Sequence, residues 1–269
     1  SQASDGSGLD WFFSQPEFLI RDGVLRWRDE LRDSPELSLS HVNVVMQNSL
    51  HQHLMRIDVT PPVGLGQRLS VQGKFSQNPL QRSGDLRLWS GELYADAPDI
   101  DLSSLRQWLR FDRGIAIYEG KGGVRVWTDW VQGQLIGVTA DMALDAVDAR
   151  LGDSLKPLVL RHVSGRIGAK WLDGENEINS QDLVFDTQEG ERWPGGVLRL
   201  KWQGDDFRVG NLTADRLDLD ALAQISQRLP LPEDLRTALK LAQPKGQVSQ
   251  LSASWVQPSA QQADAELNY

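Results

Sequence analysis

The chain has 269 residues, of which 24% are charged and 40% hydrophobic, with a formal net charge of −9 and no cysteine. Disulfides and thiolate chemistry are thereby excluded, and the acidic balance without any run of Lys or Arg argues against nucleic acid and against a basic patch for anionic lipid head groups. No uninterrupted apolar stretch approaches the roughly 20 residues of a spanning helix, so any dealing with a membrane falls to apolar surface.

Taken in chain order, Ser1-Gln2-Ala3-Ser4-Asp5-Gly6-Ser7-Gly8 reads as a linker and not as a signal peptide. Period-2 alternation then dominates, which predicts half-buried antiparallel strands. The candidates are Phe18–Arg28 with a turn at Arg21-Asp22-Gly23, Leu37–Gln47, Leu54–Thr60, Leu69 to Phe75, Leu86–Ala95, the surroundings of Val124 and Val126, Gln134–Ala143, Ser164–Trp171, Val197–Trp202 and Phe207–Ala214. Turns are expected at Thr60-Pro61-Pro62, Asn78-Pro79, Asp173-Gly174, Trp193-Pro194-Gly195-Gly196 and Gly204-Asp205. Helical pattern is scarce: Leu102–Leu109 behind Asp101, Ala221–Leu229 behind Asp220, and Glu233–Leu241 behind Pro232, with the two aspartates as expected N-caps. Three short helices cannot cover so many strands. The apolar strand faces are therefore left to bury against one another as a sandwich or to line the inner wall of a curled sheet.

The chain also repeats itself. Gly91-Glu92-Leu93-Tyr94-Ala95-Asp96 returns as Gly210-Asn211-Leu212-Thr213-Ala214-Asp215, each followed by Asp-x-Asp at 99–101 and 218–220. Leu86-Arg87-Leu88-Trp89 echoes Leu198-Arg199-Leu200 with Trp202. Trp130-Val131-Gln132 echoes Trp255-Val256-Gln257, and Ala140-Asp141 with Leu144 echoes Ala263-Asp264 with Leu267. Repeated modules stack into elongated bodies whose function lies in the surface they share. The expected organisation is a linker over 1–9, a first β module over 10–120 and a second over 121–269 that continues the same sheet.

No constellation declares a reaction. Gly120-Lys121-Gly122 lacks the glycine spacing of a phosphate loop and the following Ser or Thr, and reads as a hairpin turn. Asp215, Asp218 and Asp220 lack the glycine and closing Glu of a calcium loop, and read as capping and solubilising groups. His51 and His53 stand at i, i+2 as two metal ligands could, but without a third they read as exposed strand histidines. His162 has no serine to activate, there is no Gly-x-Ser-x-Gly elbow, and the many carboxylates single out no glycosidase pair. Trp27, Trp89, Trp127, Trp171, Trp202 and Trp255 sit in or beside strands, where an indole serves core packing, a sugar platform or an acyl-chain wall.

Several segments together resemble a known family. Trp11-Phe12-Phe13-Ser14-Gln15-Pro16, Ile20-Arg21-Asp22-Gly23-Val24-Leu25-Arg26-Trp27-Arg28-Asp29, Gly190-Glu191-Arg192-Trp193-Pro194-Gly195-Gly196, Leu217-Asp218-Leu219-Asp220-Ala221-Leu222, Leu229-Pro230-Leu231-Pro232 and Ala242-Gln243-Pro244-Lys245-Gly246 occur in an order similar to that of the YhdP proteins of Gram-negative bacteria, within the AsmA-like superfamily. The resemblance implies a mostly β fold of repeated antiparallel strands forming a curled, groove-like (β-taco-like) sheet with a few short helices. It also implies the periplasmic portion of a longer, inner-membrane-anchored protein that carries phospholipid toward the outer membrane. The family's membrane helix is not in this sequence, and Leu267-Asn268-Tyr269 reads as the middle of a strand, so an excised segment is expected.

On that reading the partners are phospholipid, membranes through parts of the full-length protein lying outside this chain, and neighbouring repeats, with no nucleic acid, cofactor, metal or catalytic residue. Acyl chains are expected against the apolar parity of the strands: Leu69, Val71, Phe75, Leu86, Leu88, Val124, Val126, Ile136, Val138, Leu198, Leu200 and Trp202. The competing readings are a carbohydrate-binding β-sandwich that uses exposed Trp127 or Trp130, and a scaffold module without a ligand.

Overall fold

The computed structural model describes residues 5–28, 36–78, 80, 83–105, 114–204 and 209–256. The elements run α1 (Asp5–Ser14), β1 (Glu17–Trp27), β2 (Leu37–Asn48), β3 (Gln52–Thr60), β4 (Leu69–Ser76), β5 (Ser90–Asp101), α2 (Leu102–Leu105), β6 (Ala116–Val131), β7 (Gln134–Arg150), β8 (Leu158–Leu172), β9 (Glu175–Thr187), β10 (Arg192–Pro194), β11 (Val197–Gln203), β12 (Val209–Asp218), α3 (Leu219–Ile225), α4 (Glu233–Ala242) and β13 (Gln247–Val256). The strands form one 13-stranded sheet. Each pairs antiparallel with its neighbours in the chain, with the three-residue β10 set aside on β9, and β1 does not pair with β13. The mostly β, few-helix expectation therefore holds, as one open sheet and not a sandwich or barrel. A twisted open sheet of more than about 10 strands curls or splits, and this one has not split.

Several local expectations are overturned. Asp5–Leu9, expected as the end of a linker, opens a helix that runs to Ser14. Arg21-Asp22-Gly23 is not a turn: β1 runs through it with register shifts on either side of Gly23. Leu86–Leu88 is a 3-10 turn capped by Asp85, and the strand begins only at Ser90. Gly120 and Gly122 lie inside β6, where the φ of 140° at Gly122 and the Ala143 carbonyl pressed against it leave no room for a side chain. The 120/121 module boundary thus falls within a strand. The cap of α3 is Asp218, whose carboxylate accepts from the Ala221 amide at 2.9 Å, and Asp220 lies in the first turn. Asp101 does act as a cap, accepting from the Ser103 amide at 3.0 Å. Strand β9 was not among the candidates, whereas β13 is the strand ending near Trp255 that the family resemblance implies. Residues 106–109 of the first expected helix, 207–208, and the Ala263, Asp264 and Leu267 echo lie outside the described residues.

Two stretches of the sheet share one register. Phe75, Gly91 and Trp130 are successive cross-strand partners on β4, β5 and β6, and Trp202, Gly210 and Trp255 are the same on β11, β12 and β13. The counterpart of Leu198-Leu200-Trp202 is therefore Val71-Gly73-Phe75. It is not Leu86-Arg87-Leu88, which has no strand geometry.

Cross-strand partners share a face of the pleat, so the register sorts every side chain. One row crosses the sheet from β1 to β13 as Ile20, Val44, Ile57, Val71, Ala95, Val126, Ala140, Ile167, Ser180, Leu198, Ala214 and Leu251. The next row on the same face reads Phe18, Met46, Met55, Gly73, Leu93, Thr128, Val138, Ala169, Ile178, Leu200, Leu212 and Ala253. The opposite face is polar and laced with ion pairs: Arg56 to Asp58 (2.9 Å), Arg166 to Asp141 (2.5 Å), Arg199 and Lys201 to Glu177 (3.2 and 3.3 Å).

Among the described residues, helices cover the apolar face at its two ends, with α1 reaching the second row over β1 to β3. At one end of the strands, Phe12 and Phe13 of α1 pack with Phe18, Met46, Met55, Phe75 and Trp89. At the opposite end, Ile225 of α3, 1% exposed, packs with Leu144, Val147, Ala149, Leu158, Leu160, Val163 and Phe185, joined by Leu102 of α2. The turn after α3 is pinned to the β9–β10 hairpin by Arg228, which donates to Glu191 at 2.5 Å and Glu189 at 3.1 Å. Because Ile225 is the helix's deepest side chain, Ile225→Ala should cost about 2–5 kcal/mol. A urea unfolding midpoint read by circular dichroism checks this.

Candidate functional site

The two apolar rows run across the sheet from β1 to β13. At about 4.8 Å per strand they extend roughly 53 Å across the sheet, and successive rows lie about 6.8 Å apart along each strand. No second layer lies over their middle among the described residues: Ile167 is 39% exposed and Ile178 46%, while Val71, Val126, Val138, Leu198 and Leu200 are half-buried by their row neighbours.

Of the side chains expected on this face, Leu69, Val71, Phe75, Val124, Val126, Val138, Leu198, Leu200 and Trp202 share it. Phe75 and Val124 pack partly into the two marginal clusters. Leu86 and Leu88 do not join the face, because they sit on the 3-10 turn. Ile136 falls at the register shift where β7 carries an extra residue opposite Asp129 and Trp130. Ile57, Leu93, Ile167, Ile178, Leu212 and Leu251 were missed, and their cross-strand pairing is what brings them in.

A third row runs along one margin. Phe75 on β4 and Trp130 on β6 flank Gly91; Trp171 on β8 and Trp202 on β11 flank Asn176; Trp202 and Trp255 flank Gly210. An aromatic side chain thus recurs on every second strand, with smaller residues between. Trp255 lies over Gly210, where a Cβ would meet the indole. The Trp130 Nε1–H donates to Thr128 Oγ1 at 2.8 Å and the Trp171 Nε1–H to the Leu135 carbonyl at 2.5 Å. Trp127 is separated from this ladder. It faces the polar side beside Tyr94, ring centroids 5.1 Å apart, with the Arg166 guanidinium 5.6 Å from its ring. Trp127 and Trp130, the two indoles of the sugar reading, therefore lie on opposite faces and form no common platform.

Among the described residues no group of three or more His, Asp or Glu side chains is placed to hold an ion. His51 precedes β3 and is exposed, whereas His53 is 1% exposed, stacked on Trp89 at 4.1 Å and edge-on to Phe13 at 5.7 Å. His162 meets Asp145 at 2.7 Å on the polar side. On that side the hydrogen bond from Arg166 holds Asp141 below the usual carboxylate range, and Asp101 is lowered by Ser103 and then by Lys121. These are supports of the sheet's outer surface and lie away from the apolar rows.

A sequence model described as YhdP protein matches residues 1–268. The chain belongs to the YhdP family. No curated protein and no solved structure matches it. For this YhdP-family chain no described helix is long and apolar enough to cross a membrane, and the open apolar face is an extended surface on which an apolar ligand could lie.

His53, at the α1 margin of that face, is expected to make stability depend on pH. Its Nδ1 meets Asn48 Oδ1 at 2.8 Å, its Nε2 has no hydrogen-bond partner, and burial holds its pKa below the ordinary 6.5. The folded imidazole stays neutral while the unfolded one takes a proton as pH falls below 6.5, so stability present above that pH is lost as pH drops. The urea midpoint should fall more steeply from pH 7 to pH 5 in the native chain than in His53→Phe. Equal slopes would show that His53 contributes nothing to the titration.

Proposed function

We propose that this segment holds the hydrocarbon chains of phospholipid along its open apolar face, as one stretch of a periplasmic conduit between inner and outer membranes. The observation that carries the reading is the pair of apolar rows that continue through all the long strands without a second layer over their middle. Exposing the roughly 30 methylenes of a two-chain lipid to water costs about 25 kcal/mol at ~0.8 kcal/mol each, which a continuous apolar trough largely avoids. A face on which Ile167 and Ile178 stay open is otherwise an aggregation liability. Membership in the YhdP family supports a lipid-transport role over an enzymatic one.

In this proposal the anchor to the inner membrane and further repeats lie elsewhere in the full-length protein. The outer edges of β1 and β13, each paired on one side only among the described residues, are the templates on which neighbouring strands would extend the groove.

Parity supplies the test. Leu200 points to the apolar face and Thr213, on the adjoining strand opposite Arg199, to the polar one. A glutamate at the lining position must be protonated to lie against hydrocarbon, at a cost of about 3–4 kcal/mol at pH 7. Leu200→Glu should therefore lower loading of a fluorescent phosphatidylethanolamine by more than about tenfold, with an unchanged circular dichroism spectrum, while Thr213→Glu leaves loading intact. Unfolding by Leu200→Glu would mark the position as ordinary core, and equal loading of both variants would refute the groove.

A further inference from the structure

The two margins of the apolar face are not alike, and their difference fixes an orientation. Toward the β7–β8 turn, Leu144, Val163 and Phe185 are each no more than 7% exposed beneath Ile225 of α3, and Val59 and Leu65 are buried in the same way beside the β3–β4 connection. That margin is closed by packing. Among the described residues, the opposite margin is covered by α1 and Trp89 over the first strands. From β6 to β13, about 29 Å at the usual strand spacing, it is edged by Trp130, Trp171, Trp202 and Trp255, with the exposed turn residues Gln132, Gln134, Asp173 and Glu175 just beyond.

An indole combines a broad apolar ring with one N–H donor, and it is enriched where hydrocarbon meets polar head groups. Here the indoles of β6, β8, β11 and β13 sit two strands apart, about 10 Å, at one depth. The depth also fits. From Trp202 to Leu198 on β11 is four residues, about 14 Å, against roughly 15 Å for half of a bilayer's hydrocarbon core.

We propose that phospholipid lies in this groove with its head group at the tryptophan-edged rim, over the β6–β7 and β8–β9 turns, and its chains directed toward the helix-covered rim. This rests on the lipid reading above and adds a polarity to it: the tryptophan rim is the interfacial belt of the groove, and the α2–α3 rim is its floor.

Photocrosslinking separates the two levels. The 269-residue chain is loaded from phosphatidylethanolamine vesicles with either of two tracer phosphatidylethanolamines, one bearing a diazirine on the head group and one near the end of an acyl chain, and labelled peptides are mapped by mass spectrometry. The head-group probe should label the turns at Gln132–Gln134 and Asp173–Glu175, and the chain probe the strand interiors near Val126 and Leu200. Head-group labelling at the opposite turns, near Asp153 and Gly190, or spread over both rims, overturns the orientation while leaving the groove intact. Labelling by neither probe overturns the groove itself. Trp202→Leu, which keeps an apolar side chain but removes the ring and its N–H, should reduce head-group labelling of the Asp173–Glu175 turn severalfold and leave chain labelling near Leu198 in place. Unchanged head-group labelling in that variant would remove the indoles from the explanation.

Discussion

Everything in this molecule depends on one face of one sheet staying apolar from β1 to β13. Side chains alternate with period 2, so a single-residue slip sends the rest of a strand's apolar set to the wrong side. The long strands could not hold that parity and also bend, and they resolve the conflict with left-handed residues. On β1 the apolar positions pass from Phe18 and Ile20 to Leu25 and Trp27 across Asp22, whose φ is 53°. On β2 they pass from Leu37 and Leu39 to Val42, Val44 and Met46 across His41, φ 48°. The same switch occurs on β7 across Ala146 and on β9 across Asp182. Extra residues of this kind kink a strand and increase its local twist, so the device that restores parity is also the one that lets the sheet curve.

Such corrections come with side-chain support, which explains why non-glycine residues tolerate them. Asp22 and His41 are neighbours on adjacent strands, joined at 2.7 Å, and Asn43 bridges both, accepting from the Asp22 amide and donating to the His41 carbonyl. Asp and His are among the residues that enter the left-handed region most readily. The bulges of β1 and β2 are therefore coupled, and the first hairpin bends as a unit.

The same physics decides how much could be read from the chain. Where parity runs unbroken, as over Leu69 to Phe75 or Val197 to Trp202, alternation alone located strand and face. Where it breaks, alternation misled: Arg21-Asp22-Gly23 reads as a turn because the pattern fails there, although the strand continues. Strand β9 was invisible because Asn176 and Ser180 occupy its inward positions, and the cross-strand neighbours Trp202, Leu198 and Ile167 supply the apolar surroundings. Leu86 and Leu88 alternate as a strand would, but Asp85 caps a 3-10 turn with the Arg87 amide, and local hydrogen bonding prevails over pattern in so short a segment. The aromatic ladder was legible only in part. Each tryptophan could be seen, but that Trp130, Trp171, Trp202 and Trp255 share a rim follows from registers that no single strand encodes.

A sheet that leaves one face open must find its stability elsewhere, and here it is found at the margins. Ion pairs with a solvated guanidinium, such as Arg56–Asp58 and Arg199–Glu177, contribute little to stability in water. Their larger effect is to make the outer face a poor surface for self-association. Dense packing is instead concentrated around Ile225 on one flank and around Trp89 on the other, with backbone pairing spanning the interval between them. Adding a strand pair in the Phe75–Gly91–Trp130 register, as β11 to β13 do with Trp202, Gly210 and Trp255, lengthens the apolar face without requiring a new core. Length and stability are thereby separated: the helices set how firmly each stretch is held, and the count of strands sets how far the face extends.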